Sequence, residues 1–441
     1  MEADESTPVI PDPVALAARD LLGIRYLFPF QRLVVANILE AAGDADVALR
    51  WPTDTAAAAA RDDEDSAALP PGPPETAAAE DTGDREAAGR QIVILPTGAG
   101  KSLCFQLPAL LMDRPTLVLY PILSLMADQQ RRLSDQGFTP VVLRGGQSRP
   151  EREAIWDQIV RGKSRFIIAN PEVLLTPTVM ARLASLRIAH VVVDEAHCVS
   201  EWGESFRPAY LRIREIIAAA AAPLVTAFTA TASPEVLEKI QRYVFGDSGA
   251  HRIIGNPDRP NIDYAAQGAI LRDLAVRDLL RRLPRPAIVF CSSRVRTERL
   301  ARYLRGELQD PEVRFYHAGL EREEKKDVEA WFFSSPTGIL TATCAYGLGV
   351  DKSDIRTVIH RDCPPSVEAY LQESGRAGRD GKPAQAVLLW GPEDEAARQR
   401  IPPGPERERF SRLLAYGQDV DGCRRAALLG LLGYAGGDCP P

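Results

Sequence analysis

The chain has 441 residues, 45% hydrophobic and 26% charged, enough apolar material for two or three packed domains. No apolar run is long enough to cross a bilayer, and the start Met1-Glu2-Ala3-Asp4-Glu5 lacks the basic-then-apolar layout of a signal peptide. The expectation is a cytoplasmic chain, nucleoid-associated if bacterial, with no membrane partner. The net charge of −7 is unevenly spread: residues 41–90 hold 12 acidic and 4 basic side chains, so the remainder is near neutral and neither demands nor forbids a polyanion. Seven cysteines without a CxxC pair argue against a disulfide framework.

Taken in order, residues 1–40 read as an N-terminal helical segment, with helical apolar spacing from Leu16 to Glu40. Residues 41–90 are rich in alanine, acids and the run Pro70-Pro71-Gly72-Pro73-Pro74, and cannot bury enough apolar surface to offset ordering entropy. They read as a disordered insertion, with a short helix conceivable at Ala56 to Arg61. Between 91 and 255 apolar runs at Ile92–Leu95, Thr116–Tyr120, Val141–Leu143, Phe166–Ala169, Ile188–Val193 and Leu224–Phe228 alternate with helical patterns. Their continuous apolarity suits strands covered on both faces, hence a parallel α/β sheet. Asn256-Pro257-Asp258-Arg259-Pro260-Asn261 reads as a crossover link. A second lobe, 256–392, repeats the alternation at Ala287–Cys291, Val313–Tyr316, Gly338–Ala342, Thr357–His360 and Ala386–Trp390. Residues 393–441 turn to charged helix, broken at Ile401-Pro402-Pro403-Gly404-Pro405, with a last helix from about Glu406 to Tyr434.

Two strand ends carry chemistry. Ile92 to Leu95 runs into Pro96-Thr97-Gly98-Ala99-Gly100-Lys101-Ser102, a glycine-rich loop before a helix at about Ser102 to Leu111. Glycines let backbone N–H groups curl around phosphate oxygens, and the helix points its positive end at the same anion. Lys101 would reach the β and γ phosphates of ATP and Ser102 would hold Mg²⁺. The loop has no glycine at the first position of the common GxxxxGK[ST] pattern. Val191-Val192-Val193-Asp194-Glu195-Ala196-His197 delivers a carboxylate pair, Asp194 for the Mg²⁺ shell and Glu195 to polarise the attacking water.

Asp-Glu-Ala-His with the upstream phosphate loop resembles a superfamily 2 helicase, and the flanking residues resemble the RecQ family over roughly 15–40 and 91–439. The resemblance implies an α/β fold of two tandem RecA-like P-loop lobes with parallel sheets, followed by a short helical C-terminal remnant. It assigns Gln31 to adenine reading, although Leu27-Phe28-Pro29-Phe30 stands where the family has Phe-Arg-Pro-Gly. Thr97, Gly98, Ala99 and Gly100 fall in the nucleotide cradle, and Asp351 lies in the motif Ala342 to Lys352. Strand contacts are implied for Ser124, in Pro121 to Gln129, and for Arg294, in Phe290-Cys291-Ser292-Ser293-Arg294. Asn170-Pro171-Glu172, Thr229-Ala230-Thr231-Ala232 and Tyr316-His317-Ala318-Gly319-Leu320 also fit. In Gln372-Glu373-Ser374-Gly375-Arg376-Ala377-Gly378-Arg379, Gln372 joins the hydrolytic set. Arg376 and Arg379, three apart on one helical face, are the arginines expected to reach the triphosphate.

Cys198 to Pro208 resembles the family's aromatic-rich loop, in which Trp202 and Phe206 would stack bases and Arg207 would touch phosphate. Glu204-Ser205 replaces the family's His-Asp there. Cys423-Arg424-Arg425 resembles the start of a zinc-binding subdomain, but only Cys423 and Cys439 are at hand where a closed site needs four ligands, so no zinc is expected. The resemblance implies a monomer working on single-stranded and duplex DNA, an ATP-dependent helicase or translocase of 3′-to-5′ polarity serving repair or recombination. An RNA-directed helicase, or a regulatory DNA-binding ATPase that no longer unwinds, are the alternatives.

Overall fold

The computed structural model describes residues 12–52, 89–96, 98–201, 207–255, 257–347, 352–419 and 421–434. Strands β1 (Arg90–Ile94), β2 (Thr116–Leu119), β3 (Val141–Leu143), β4 (Phe166–Ala169), β5 (His190–Val193), β6 (Leu224–Thr229) and β7 (His251–Ile254) form one sheet in the order β3-β4-β2-β5-β6-β1-β7. Every described pairing in it is parallel. Alternate residues serve opposite faces, as the pleat dictates. Ile92, Ile94, Leu117, Leu119, Val191 and Val193 pack on one side, and Val93, Leu95, Val118 and Val192 on the other. Each such side chain moved out of water contributes about 1.5–3 kcal/mol, so the apolar strand runs specify a sheet buried on both faces.

The second sheet is built from β8 (Ile262–Gly268), β9 (Ala287–Phe290), β10 (Val313–Tyr316), β11 (Ile339–Ala342), β12 (Thr357–His360) and β13 (Ala384–Trp390), in the order β10-β11-β9-β12-β13-β8, again parallel. The two α/β lobes thus match the fold class expected. Strands β7 and β8, which flank the link, were not anticipated. Both are edge strands, and β8 alternates exposed with covered positions instead of running continuously apolar.

Three further boundaries differ from expectation. Gly23, in left-handed backbone at φ +68°, caps a helix Pro13–Leu22, and Pro29 opens a second helix Pro29–Asp44, so Leu16 to Glu40 is two helices. The start of the supposed insertion is packed: Ala42 and Val47 are buried, and Arg50 N donates to Leu111 O at 2.7 Å beside a bridge between Leu49 and Met112. Residues 53–88, with Ala56 to Arg61, lie outside the described residues. The last helix is also two, Pro405–Gln418 and Arg424–Leu431, with Gly422 at φ +97° between them.

These C-terminal helices pack on the second lobe through Phe410, Leu413, Leu414 and Leu428 against Tyr370 and Leu388. They also reach the first: Arg409 Nη1 is 3.4 Å from Glu235 Oε1. A buried ion cluster ties the second lobe together, with Arg272 between Asp362 and Asp394 while Asp362 also accepts from the Ser292 N–H at 2.8 Å. Breaking such a buried pair strands a charge in low dielectric.

His190 opens β5 fully buried, its Nε2 2.8 Å from Thr226 Oγ1. Burial depresses its pKa from 6.5 to about 3. A histidine held neutral this way contributes its full share above pH 6.5 and loses it as pH falls towards 3, because the unfolded chain takes up the proton first. Between pH 7 and 5 this one residue should remove about 2 kcal/mol of stability. Denaturant unfolding at both pH values should show that loss reduced in His190→Gln; an equal loss in both proteins would contradict it.

Candidate active site between the lobes

Gly98 and Gly100 hold left-handed backbone, φ +87° and +72°, and Gly100 caps the helix Lys101–Leu111. This is the curled loop that glycine permits and a Cβ resists. The loop is braced from the N-terminal segment by Gln31, which is buried. Its Nε2 donates to Ala99 O at 2.8 Å and its Oε1 accepts from Phe28 N at 3.0 Å. A Cβ on Gly100 would come within 2.5 Å of that Nε2, so the glycine is required by the brace as well as by its own φ. The side chain expected to read adenine therefore has both amide groups engaged by the protein itself. Lys101 Nζ lies 3.5 Å from Leu95 O, and Ser102 sits half-buried in the first helical turn. Thr97 lies outside the described residues.

Asp194 and Glu195 emerge from the carboxyl end of β5, two strands away from β1 in the same sheet. Ligands of open α/β sheets gather at such strand ends. Glu195 adopts φ +50°, a strained value for a side chain of its size, and its N–H donates to Asp194 Oδ1 at 3.0 Å. Burial and then the Glu195 charge push Asp194 up to about 7. Burial opposes ionisation of Glu195 too, but Lys101, His197, Arg376 and Arg379 outweigh it and hold its pKa below the usual value.

His197 Nδ1 is 3.1 Å from Thr229 Oγ1 and 3.4 Å from Glu195 Oε2. Because Thr229 Oγ1 donates to Thr231 O at 2.9 Å, it must accept from His197, which fixes the proton on Nδ1. The acid strand is thereby wired to Thr229-Ala230-Thr231, one of the segments that fit the family. Glu195 Oε2 is buried without a hydrogen-bond partner. An unpartnered carboxylate oxygen beside Lys101, with a glycine cradle two strands away at the same edge of the sheet, suits a triphosphate, Mg²⁺ and a water.

The other lobe completes the site. Arg379 comes so close to the loop that its Cγ lies 3.7 Å from where a Cβ on Gly98 would sit. Arg376 is buried; burial, then Arg379, lowers its pKa to about 10, so it stays charged at neutral pH. The pair is not on one helical face as expected. The helix Val367–Ser374 has ended, and Gly378 at φ +56° turns the chain between the arginines. Gln372 is half-buried within that helix.

Along the rim, Ser124 is exposed in the first turn of helix Leu123–Asp135, and Arg294 is exposed at the start of helix Arg294–Leu308. Arg207 donates to Pro121 O and lies 3.4 Å from Glu172 Oε1, joining the segment expected to touch the strand to Asn170-Pro171-Glu172. Trp202, Phe206, Glu204-Ser205 and Asp351 lie outside the described residues, as does Cys439. Cys423 is disulfide-bonded, although the cysteine pattern argued against a disulfide framework, and its Sγ accepts from Ala426 N at 3.5 Å to cap the last helix. Sequence reading passed over Arg259 and Asn261, which grip the turn bearing Arg376 and Arg379. The available signal was two polar side chains in a link flanked by prolines.

Residues 81–240 match the family model described as DEAD/DEAH box helicase, and 270–381 match the helicase conserved C-terminal domain. The chain is 35% identical over 350 residues to the ATP-dependent DNA helicase RecQ of Pasteurella multocida, covering 78% of this chain and 55% of the relative. It is 38% identical over 315 residues to the probable ATP-dependent DNA helicase RecS of Bacillus subtilis, covering 70% and 62%. It thus spans a little over half the length of these relatives. The crystal structure of the DUF1998 helicase MrfA bound to DNA superposes with a TM-score of 0.60 at 18% identity, covering 87% of this chain and 52% of that one, a likeness of fold alone. With both helicase models matched in order across two parallel-sheet lobes, the chain belongs to the RecQ family of superfamily 2 helicases.

Proposed function

We propose that this protein hydrolyses ATP in the cleft between its lobes and uses the cycle to move 3′ to 5′ along single-stranded DNA, displacing the complementary strand. The observation that carries the reading is the meeting of Arg379 from one lobe with the Gly98 loop of the other, beside Glu195. The triphosphate lies in the loop from Gly98 to Ser102, with Lys101 on its outer phosphates. Ser102 and Asp194 are the residues that would hold Mg²⁺, which neutralises charge on the terminal phosphate when bound. Glu195 orients the attacking water and draws off its proton, a task suited to a carboxylate kept ionised. Arg376 and Arg379 meet the negative charge that grows in the transition state. Gln372, one helical turn before Arg376, belongs to the same contact set.

Release of the cleaved phosphate after hydrolysis takes away the charge that holds the arginines over the loop, so the cleft relaxes and re-forms with each ATP. The His197–Thr229–Thr231 relay passes that change from Glu195 towards the strand-gripping segments, with Ser124 and Arg207 on one lobe and Arg294 on the other. Trp202 and Phe206 report the presence of DNA by stacking bases. A DNA substrate is supported by the names of the relatives, ATP-dependent DNA helicases among them. Repair or recombination is the setting that the family implies, with the protein acting as a monomer.

Lys101→Ala and Glu195→Gln should each lower DNA-stimulated ATP turnover by about a hundredfold or more, with Glu195→Gln retaining nucleotide binding because only the proton acceptor is lost. Steady-state ATPase assays beside fluorescent-nucleotide titration check this; near-parent turnover of Glu195→Gln would remove the acid from the mechanism. Matched DNA and RNA oligonucleotides should stimulate turnover unequally in favour of DNA, and a duplex with a 3′ single-stranded tail should be opened while a 5′-tailed one is not. Equal stimulation would favour an RNA-directed or indifferent enzyme, and turnover without strand displacement a regulatory ATPase.

A further inference from the structure

The link between the lobes lies against the turn that carries the two arginines. Arg259 Nη1 donates to Gly375 O at 3.1 Å, and its Nη2 donates to Ala377 O at 3.0 Å and Gly378 O at 2.8 Å. Asn261 Nδ2 donates to Gly378 O at 2.8 Å and to Lys382 O at 3.0 Å, while Asn261 O accepts from Ala384 N at 2.9 Å. These carbonyls bracket Arg376 and Arg379. They follow the end of the helix Val367–Ser374, where backbone acceptors lose their intrahelical partners and must be met by other donors.

We propose that Arg259 and Asn261 are positioning residues for hydrolysis: the inter-lobe link fixes the turn Gly375 to Lys382, and so sets how far Arg376 and Arg379 reach into the cleft. The inference rests on the hydrolytic reading above and adds to it the source of the arginines' precision. A planar guanidinium serving three carbonyls fixes the turn's orientation as well as its distance, which a lysine's point charge does not. Gly378 records the closeness of the contact: a Cβ there would meet Asn261 Nδ2 at 2.5 Å and Lys382 O at 2.7 Å. The turn is held from its far flank too, where Gly378 N donates to Ile355 O at 2.8 Å and Arg356 Nη2 donates to Asp380 Oδ1 at 2.6 Å. The link is itself anchored from behind by Arg425, whose Nη2 donates to Pro260 O at 2.9 Å and whose Nε is 3.3 Å from Asp258. A charge stabiliser displaced by an ångström loses much of its effect on the transition state and little on ground-state binding.

The test compares Arg259→Met, Arg259→Lys, Asn261→Ala, Arg379→Ala and the double variant Arg259→Met/Arg379→Ala in the full chain. Thermal unfolding establishes that each is folded. Arg259→Met should lower kcat for DNA-stimulated ATP hydrolysis by about tenfold to a hundredfold, with KM for ATP nearly unchanged. Arg259→Lys should recover only part of the loss, and Asn261→Ala should show the same split between kcat and KM to a lesser degree. In the Arg379→Ala background, Arg259→Met should cost clearly less than it does alone, because the share acting through Arg379 is already lost and only the share acting through Arg376 is left. Parent-like kcat in folded Arg259→Met, or losses that multiply in the double variant, would overturn the proposal. If Arg259→Met does not fold, Asn261→Ala decides by the same criterion. Parent-like turnover in Arg379→Ala would instead sink the hydrolytic reading, so the two failures are distinguishable.

Discussion

A carboxylate oxygen closed off from solvent without a hydrogen-bond partner favours the anion only where positive charge is brought to it, and the charges facing Glu195 come from two lobes. Lys101 and His197 come from its own lobe; Arg376 and Arg379 come from the other. The molecule's organisation follows from this requirement. Two parallel sheets, each buried on both faces, present strand ends as rigid platforms, and the chemistry sits where the platforms oppose. Neither lobe alone assembles the charge set. Anything that alters the distance between them alters the charge around the acid, which in the proposed mechanism is what would let a hydrolytic site double as a mechanical coupling.

The elements outside the two sheets serve that alignment. Gln31 reaches from the N-terminal helices to the backbone of the phosphate loop, bracing Ala99 while leaving little room at Gly100. The C-terminal helices, read from sequence as a remnant, hold the inter-lobe link through Arg425 and touch the first lobe through Arg409. Covering the edge strand β8, they also bury the side of the second sheet that the link approaches. Fold stability and site geometry are here the same contacts.

Both sheets were legible in the sequence wherever strands are central, because β1, β2, β5, β6, β9 and β12 need apolar side chains on both faces. The edge strands β3 and β10 were read as well, but β7 and β8 were not, because most of their positions are only partly covered or exposed and no continuous apolar run marks them. Lys101, Asp194 and Glu195 were legible because phosphate and acid chemistry restrict residue type and spacing at strand ends. The turn at Arg376 and Arg379 was misread as helix: three-residue spacing suits a helical face, and only the left-handed Gly378 pressed against Asn261 shows that the chain bends there. Arg259 was invisible for a related reason. It acts on backbone carbonyls about 120 residues away, and a contact with main chain leaves no complementary residue type to find. Helix breaks at Gly23 and Gly422 were signalled by the glycines themselves and overridden by apolar spacing on either side.

The most direct test is a crystal structure of the protein with DNA, Mg²⁺ and ADP–aluminium fluoride, which mimics the phosphoryl group in flight. Guanidinium nitrogens of Arg376 or Arg379 within hydrogen-bonding distance of the fluoride ligands, with Glu195 on the water opposite, are the expected result. An analogue seated on Lys101 with both arginines turned away into their own lobe would contradict the shared-cleft mechanism.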